Sequence, residues 1–223
     1  PEPRHELAVL AVREQLARAK ALQDAGDVAG SLTQAEQAVA AAAAIAYPPI
    51  DAAARHARGR ARNELADFTG ALSDLGEAFH QASQLGDDDL SFESGLDLAR
   101  LLARQSRFDD ASGWSRHAED ALIRSGNDSS GAARLQAVRA AILVERGQAD
   151  AAEPILLAAL LALEQAHGPA HLDVVRLDLQ LGDCLYKLGR HADARARVEH
   201  AIANLRTITG PGHPEYAAAL NRL

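Results

Sequence analysis

Six cations recur in alternate segments of the chain: Arg13, Lys20, Arg60, Arg100, Arg134 and Arg176. Residues seven apart lie two turns up one helix face, so Arg13 and Lys20 share a face, as do Glu93 and Arg100, or Arg176 and Asp183. Around that stripe fall His56, Asn63, Asp97, Arg104, Gln180 and Tyr186. The chemistry these residues offer is recognition. An arginine fork pairs bidentately with a carboxylate. A groove lined by Arg13, Lys20, His56, Arg60, Asn63, Arg100, Arg104, Arg134, Arg176, Gln180 and Tyr186 is therefore expected to grip an acidic peptide or a C-terminal carboxylate. The competing reading is a solvated face whose local ion pairs contribute little.

Other chemistry finds weaker support. His167 and His171 flank Gly168-Pro169, and His191 and His200 have unsuitable spacing on one helix, so no metal set is expected. His171 and His213 read instead as helix-entry residues. Asp87-Asp88-Asp89 lacks the alternating ligands and closing Glu of a calcium loop and reads as a loop with a helix-capping Asp. Asn127-Asp128-Ser129 matches a glycosylation acceptor by chance. There is no P-loop, dinucleotide fingerprint, nucleophile elbow or convergent triad, so neither a cofactor nor an enzymatic activity is expected. Phe108 and Trp114 read as core filling, with an exposed contact on a closing helix as the alternative for Trp114.

The elements that must carry the stripe are set out by small residues. Ser31, Ala71, Ala111, Ala152 and Ala194 lie 40, 40, 41 and 42 residues apart. Seven residues after each comes another alanine: Ala38, Ala78, Ala118, Ala159 and Ala201. Twelve before each comes Ala19, Gly59, Ala99, Ala140 or Gly182. Such a period marks stacked helix pairs. Breakers alternate between tight turns (25–27, 65–67, 105–107, 146–148, 188–190) and longer loops (47–49, 86–89, 126–128, 168–169, 210–212). They predict helices over 4–24, 28–46, 51–65, 68–85, 90–105, 108–125, 130–146, 149–166, 172–188, 191–208 and 214–223. Small side chains let paired helices approach, and nearby Leu and Val supply the buried area.

Composition narrows the class. The 223 residues suffice for one elongated domain with a large core, and with only 4% aromatics that core must rest on Ala, Leu and Val. The net charge of −8 argues against nucleic acid or an anionic membrane as partner. No stretch approaches the 20 or so apolar residues of a membrane span, and no signal peptide is visible. The single cysteine, Cys184, excludes an internal disulfide framework, reads as a buried small hydrophobe, and favours a cytoplasmic location. The chain begins at Pro1, has no Met, and ends in a helix that looks cut short, so a fragment of a longer protein is expected.

These features resemble the tetratricopeptide repeat. The fifth unit carries the fingerprint most clearly, with Leu181-Gly182, Gly189, Ala194 and Ala201. The period of 40 to 42 exceeds the usual 34 and is similar to that of kinesin-light-chain-type repeats. Gly210-Pro211-Gly212-His213-Pro214-Glu215, with Leu220-Asn221-Arg222-Leu223 after it, matches that subclass, and Gly168-Pro169-Ala170-His171-Leu172-Asp173 repeats its first part. Arg18, Arg58 and Arg139 depart from the pattern, standing where the family prefers a large apolar residue, and Arg222 replaces an Asn. The resemblance implies an all-α solenoid, a right-handed superhelix of five helix pairs plus a partial final helix. It implies a single array over 1–223, with repeats at about 4–46, 51–85, 90–125, 130–166, 172–208 and a partial one at 213–223. Opening helices would line a concave groove for a peptide or partner helix. The Ala- and Arg-rich composition looks bacterial. The function expected is a non-catalytic protein-interaction scaffold. The alternatives are a regulatory domain of a bacterial signalling protein and an end-to-end homo-oligomer formed through Tyr216, Leu220 and Leu223.

Overall fold

The computed structural model describes residues 3–223, with side chains from Glu6 onward. Those residues form eleven α-helices and no strand. They are α1 (Pro3–Asp24), α2 (Val28–Ile45), α3 (Pro48–Glu64), α4 (Phe68–Leu85), α5 (Asp88–Arg104), α6 (Phe108–Arg124), α7 (Ser129–Glu145), α8 (Ala149–His167), α9 (Leu172–Lys187), α10 (His191–Ile208) and α11 (Pro214–Leu220). Odd-numbered helices open each pair and even-numbered helices close it. Two compact units emerge, one ending at Leu101 and the other running from Leu102 to Leu223.

Local chemistry fixes the boundaries. Each tight turn contains one residue in the left-handed region. Gly26, Gly147 and Gly189 hold it at φ 83°, 79° and 76°, where a side chain would be strained. Ala66 and Ser106 do the same work at φ 63° and 60°. Asp27 and Asp67 cap α2 and α4 by accepting hydrogen bonds from the backbone N–H groups of Gly30 and Gly70 at 2.9 and 3.0 Å. Asp87 caps α5 through the Leu90 N–H, as its position in the acidic triplet suggests. His171 and His213 are the N-caps of α9 and α11, accepting at Nδ1 from the N–H groups of Asp173 and Glu215. Two boundaries differ from expectation by three residues, the others by two or fewer. Pro48 and Pro49 belong to the first turn of α3 rather than to a loop, because their missing N–H groups would have no helical partner there. The last helix stops at Leu220 rather than reaching 223.

All fifteen small positions of the repeat are buried. In the first unit α1 packs on α2, α2 on α3, α3 on α4, and α1 lies beside α3. Val12, Ala38, Val39, Ala42, Ile50 and Ala54 form one apolar cluster. At Gly59 the approach of α3 to α4 is so close that a Cβ would stand 2.8 Å from Leu75 Cγ. Beside that contact lies a polar seam. Asp74 is 2% exposed and its carboxylate accepts from Arg58 Nε and Nη2 at 2.7 and 2.6 Å and from Arg62 Nη1 at 2.8 Å. The Arg58 guanidinium gains from this bond and is held above its ordinary range despite its burial. The arginine that breaks the family pattern is thus turned onto a buried partner.

In the second unit α7 packs on α8, α8 on α9, α9 on α10, and α7 lies beside α9. The core is leucine-rich: Leu156, Leu160, Leu163, Leu177, Leu181 and Leu185 join Ala140, Ala152, Val174 and Cys184. Each such leucine stabilises the fold by about 1.5–3 kcal/mol relative to exposure. Cys184 is fully buried, donates to the Ala149 carbonyl at 3.2 Å, and has its thiol pushed up by burial and by Glu153. Gly182 sits where a Cβ would meet Val198 Cγ2 at 3.0 Å and the Ala194 carbonyl at 3.4 Å. A smaller cluster joins Val175, Leu179, Val198, Ala201, Leu205 and Ala219, with Tyr216 packed on it. Of the expected terminal apolar edge, Leu220 and Leu223 are exposed and Tyr216 is half-buried.

Candidate functional site

The opening helices form a layer within each unit, and the cationic stripe lies on it. In the first unit the stripe converges on one carboxylate. Asp97 of α5 meets His56 Nε2 of α3 at 3.1 Å, Arg60 Nε at 3.7 Å and Arg100 Nη1 at 3.3 Å. Burial pushes the Asp97 carboxyl up, but the hydrogen bond with His56 and the charges of His56, Arg100 and Arg60 outweigh it. They hold it well below the usual carboxylate range. The arginine side chains keep 38% of their surface exposed, so they can still reach a ligand. Lys20 is exposed and bonds Asp24 at 2.7 Å within its own helix. Arg13 is exposed and Asn63 half-buried.

In the second unit Arg176 donates from Nε to Glu215 Oε1 at 3.0 Å and lies 3.6 Å from Asp173. Gln180 turns a buried side-chain oxygen inward with no donor among the described residues. Tyr186 is 66% exposed, and its ring stands edge-on to that of His191 at 4.9 Å. It borders a hollow of about 320 Å³ that also contacts Gly182, Asp183, Arg195 and Arg222. Burial raises the Asp183 carboxyl, opposed by Arg222 at 3.3 Å and by Lys187. Arg134 is half-buried and Arg104 exposed.

In each unit these cations stand beside carboxylates, so the face is less basic than its arginine count suggests. Asp97 answers Arg60 and Arg100, Asp173 and Glu215 answer Arg176, and Asp24 answers Lys20. Asp97 and Glu215 lie 41 and 39 residues from His56 and Arg176, one repeat away, which is the signal that could have paired them. Asp74 and Asp178 were not singled out by sequence at all. Asp178 is fully buried on α9, bonded by Arg197 Nη1 at 3.1 Å and by His200 Nδ1 at 2.7 Å from α10. Arg139 forms a bidentate pair with Glu119 of α6 at 2.9 and 2.6 Å, and that bond holds the Glu119 carboxyl down. Among the described residues there is no cluster of three or more metal-binding side chains. No helix among them is long and apolar enough to cross a membrane.

With this geometry in hand, comparison with known proteins places the fold. Residues 131–207 match the tetratricopeptide repeat family model. No curated protein sequence matches the chain. Among solved structures, BtubC (BKLC) from P. vanneervenii is similar at TM-score 0.68 and 18% identity, over 95% of this chain and 86% of that one. The nearly identical TPR-like repeats of a Podosopora anserina kinesin light chain are similar at TM-score 0.60 and 18% identity, over 88% of this chain and 96% of that one. A point-substituted form of the same repeats gives 0.62 at the same identity, over 88% and 95%. The fold is an all-α, tetratricopeptide-like solenoid of paired helices, like that of kinesin-light-chain repeats.

Proposed function

We propose that this chain is a non-catalytic scaffold that holds a protein or peptide segment against its opening helices. In this reading it is one kinesin-light-chain-like tetratricopeptide array, of bacterial origin and working in the cytoplasm. The observation that carries it is the division of labour within each hairpin. Apolar and small side chains face neighbouring helices, while the solvent-facing side chains of α3, α5 and α9 are mostly polar or ionisable; α1 also exposes Leu7 and Leu10. A preformed surface of this kind binds without first having to be ordered.

The Asp97 cluster supports an acidic partner. Asp97 gathers Arg60 and Arg100 on one side, and their guanidinium groups, 38% exposed, can reach a second carboxylate. Tyr186 adds an exposed aromatic contact in the second unit. The test is fluorescence anisotropy with a library of acidic peptides and their amide counterparts at two salt concentrations. Binding should weaken with salt, and Arg60→Glu combined with Arg100→Glu should weaken it tenfold or more. Salt-independent binding, or full binding by that double variant, overturns the acidic-partner reading.

A further inference from the structure

The sequence groups His56 with Arg60 and Arg100 as ligand contacts, but the three lie at different depths. Each arginine side chain keeps 38% of its surface, whereas His56 keeps 13% and Asp97 16%. His56 Nε2 meets Asp97 Oδ2 at 3.1 Å, Arg60 Nε stands 3.7 Å from the same oxygen, and Arg100 Nη1 takes Oδ1 at 3.3 Å. The histidine bond therefore fixes how the carboxylate is turned, and the carboxylate fixes where two guanidinium groups are held. Burial pushes the Asp97 carboxyl up. The hydrogen bond from His56 is the largest effect opposing that, ahead of the charge of either arginine.

The repeat register shows that these four residues come and go as a set. Counted from the small sites Gly59 and Ala140, the places of His56 and Arg60 on α3 are Ala137 and Ala141 on α7. Counted from Ala99 and Gly182, the places of Asp97 and Arg100 on α5 are Gln180 and Asp183 on α9. A carboxylate withdrawn from water needs its donors. It stands at this register where a histidine and an arginine face it from the neighbouring opening helix. Where alanines replace them, the residue is a neutral glutamine, whose buried oxygen has no donor among the described residues.

We propose that His56 is a positioning residue, which acts through Asp97 to hold Arg60 and Arg100 ready for a ligand carboxylate. The proposal rests on the acidic-partner reading above and gives His56 a task other than touching the ligand. Arginine side chains are long and rich in rotamers, and ordering them on binding weakens affinity. Two of them held in advance spare the ligand that cost. The acid is then recognised in the first unit, where all four residues stand, and the second unit takes other parts of the partner.

The test compares His56→Ala and His56→Gln with the parent in two measurements. NMR relaxation at the arginine Nε–H groups reads side-chain order in the ligand-free protein. Arg60 and Arg100 should be ordered in the parent and mobile in His56→Ala. They should be ordered again in His56→Gln, whose side-chain amide can donate to Asp97 as the imidazole does. The second measurement is the affinity for hexaglutamate relative to hexaglutamine. That ratio should fall about tenfold in His56→Ala, the scale of ordering two such side chains, and return in His56→Gln. Arginines as well ordered in His56→Ala as in the parent overturn the proposal. So does an equal loss for both peptides, the mark of a general structural effect. A parent that does not tell the two peptides apart fails the acidic-partner reading, and the relaxation measurement then decides the positioning role by itself.

Discussion

The second and fourth hairpins share a backbone plan and differ in what fills it. Gly59, Ala71 and Ala78 occupy the same register as Ala140, Ala152 and Ala159, and all six are buried. Around them α3 and α4 bury mainly alanine with Ile50, Leu75 and the Asp74 carboxylate. In the same places α7 and α8 bury Leu135, Val138, Ile142, Leu156, Leu160 and Leu163. One hairpin is joined by a charged seam, the other by aliphatic packing. Stacking geometry is thus set by the small residues, and the filling around them can change class without changing the fold. The match to the family model begins at residue 131, inside the fourth hairpin. It covers the fourth and fifth hairpins, the latter with a buried carboxylate of its own at Asp178, and the charged second hairpin falls outside it.

The largest expected effect breaks the seam. Asp74→Ala leaves half-buried Arg58 without its acceptor and Arg62 with only Asp67 at 3.6 Å and Glu36 at 4.0 Å, and should cost about 3–5 kcal/mol. Urea denaturation measures it, and hydrogen exchange should show the loss concentrated in α3 and α4. Replacing both sides, Arg58→Met with Asp74→Leu, should recover most of that loss, since apolar substitutes of similar volume are often neutral. A single-variant loss under about 1 kcal/mol, the level of an exposed ion pair, would mean that the seam does not hold the hairpin.

A smaller effect tests the feature the two hairpins share. Ala152 is fully buried between helices, so Ala152→Leu should cost about 1–3 kcal/mol by overpacking. An unchanged melting temperature would show that the small sites do not set the spacing.

The smallest effect separates two carboxylates by sign. The Asp97 carboxyl is held down in the fold, so its pairing stabilises above its unfolded value of about 3.9 and that gain is lost as pH falls below it. The Asp183 carboxyl is raised, so its contribution is present at acid pH and is lost as pH rises through the folded value. Stability measured from about pH 3 to 7, the range that spans carboxylate titration, should flatten on its acid side in Asp97→Asn. Asp183→Asn should be slightly more stable than the parent near neutral pH. The same slope in both variants would remove the assignment.

Much of this was legible in the residues. The limits of α4 and α10 agree with expectation, and the end of α2 differs by one residue; Gly86, Gly189 and Gly210 mark three of the flanking turns plainly. The start of α3 was misplaced because Pro48-Pro49 reads as a loop when its position in the first turn is unknown. The small-site register survived because steric exclusion acts on every hairpin alike. The polar seams did not show. Asp74 lies 16 residues from Arg58 and 12 from Arg62, and Asp178 lies 19 and 22 from Arg197 and His200. Those separations match neither one helix face nor the repeat period. Asp97 and Glu215 lie about one repeat from His56 and Arg176, a spacing the sequence shows but that does not by itself mark them as partners.

The charged seam also has a thermal consequence. Exposing ions on unfolding lowers the heat capacity change, whereas exposing leucines raises it. The second hairpin therefore has a flatter dependence on temperature than the fourth. Its strongest contact also gains as hydration of charge weakens on heating. Cooling, which weakens burial of hydrocarbon, bears hardest on the leucine-filled half.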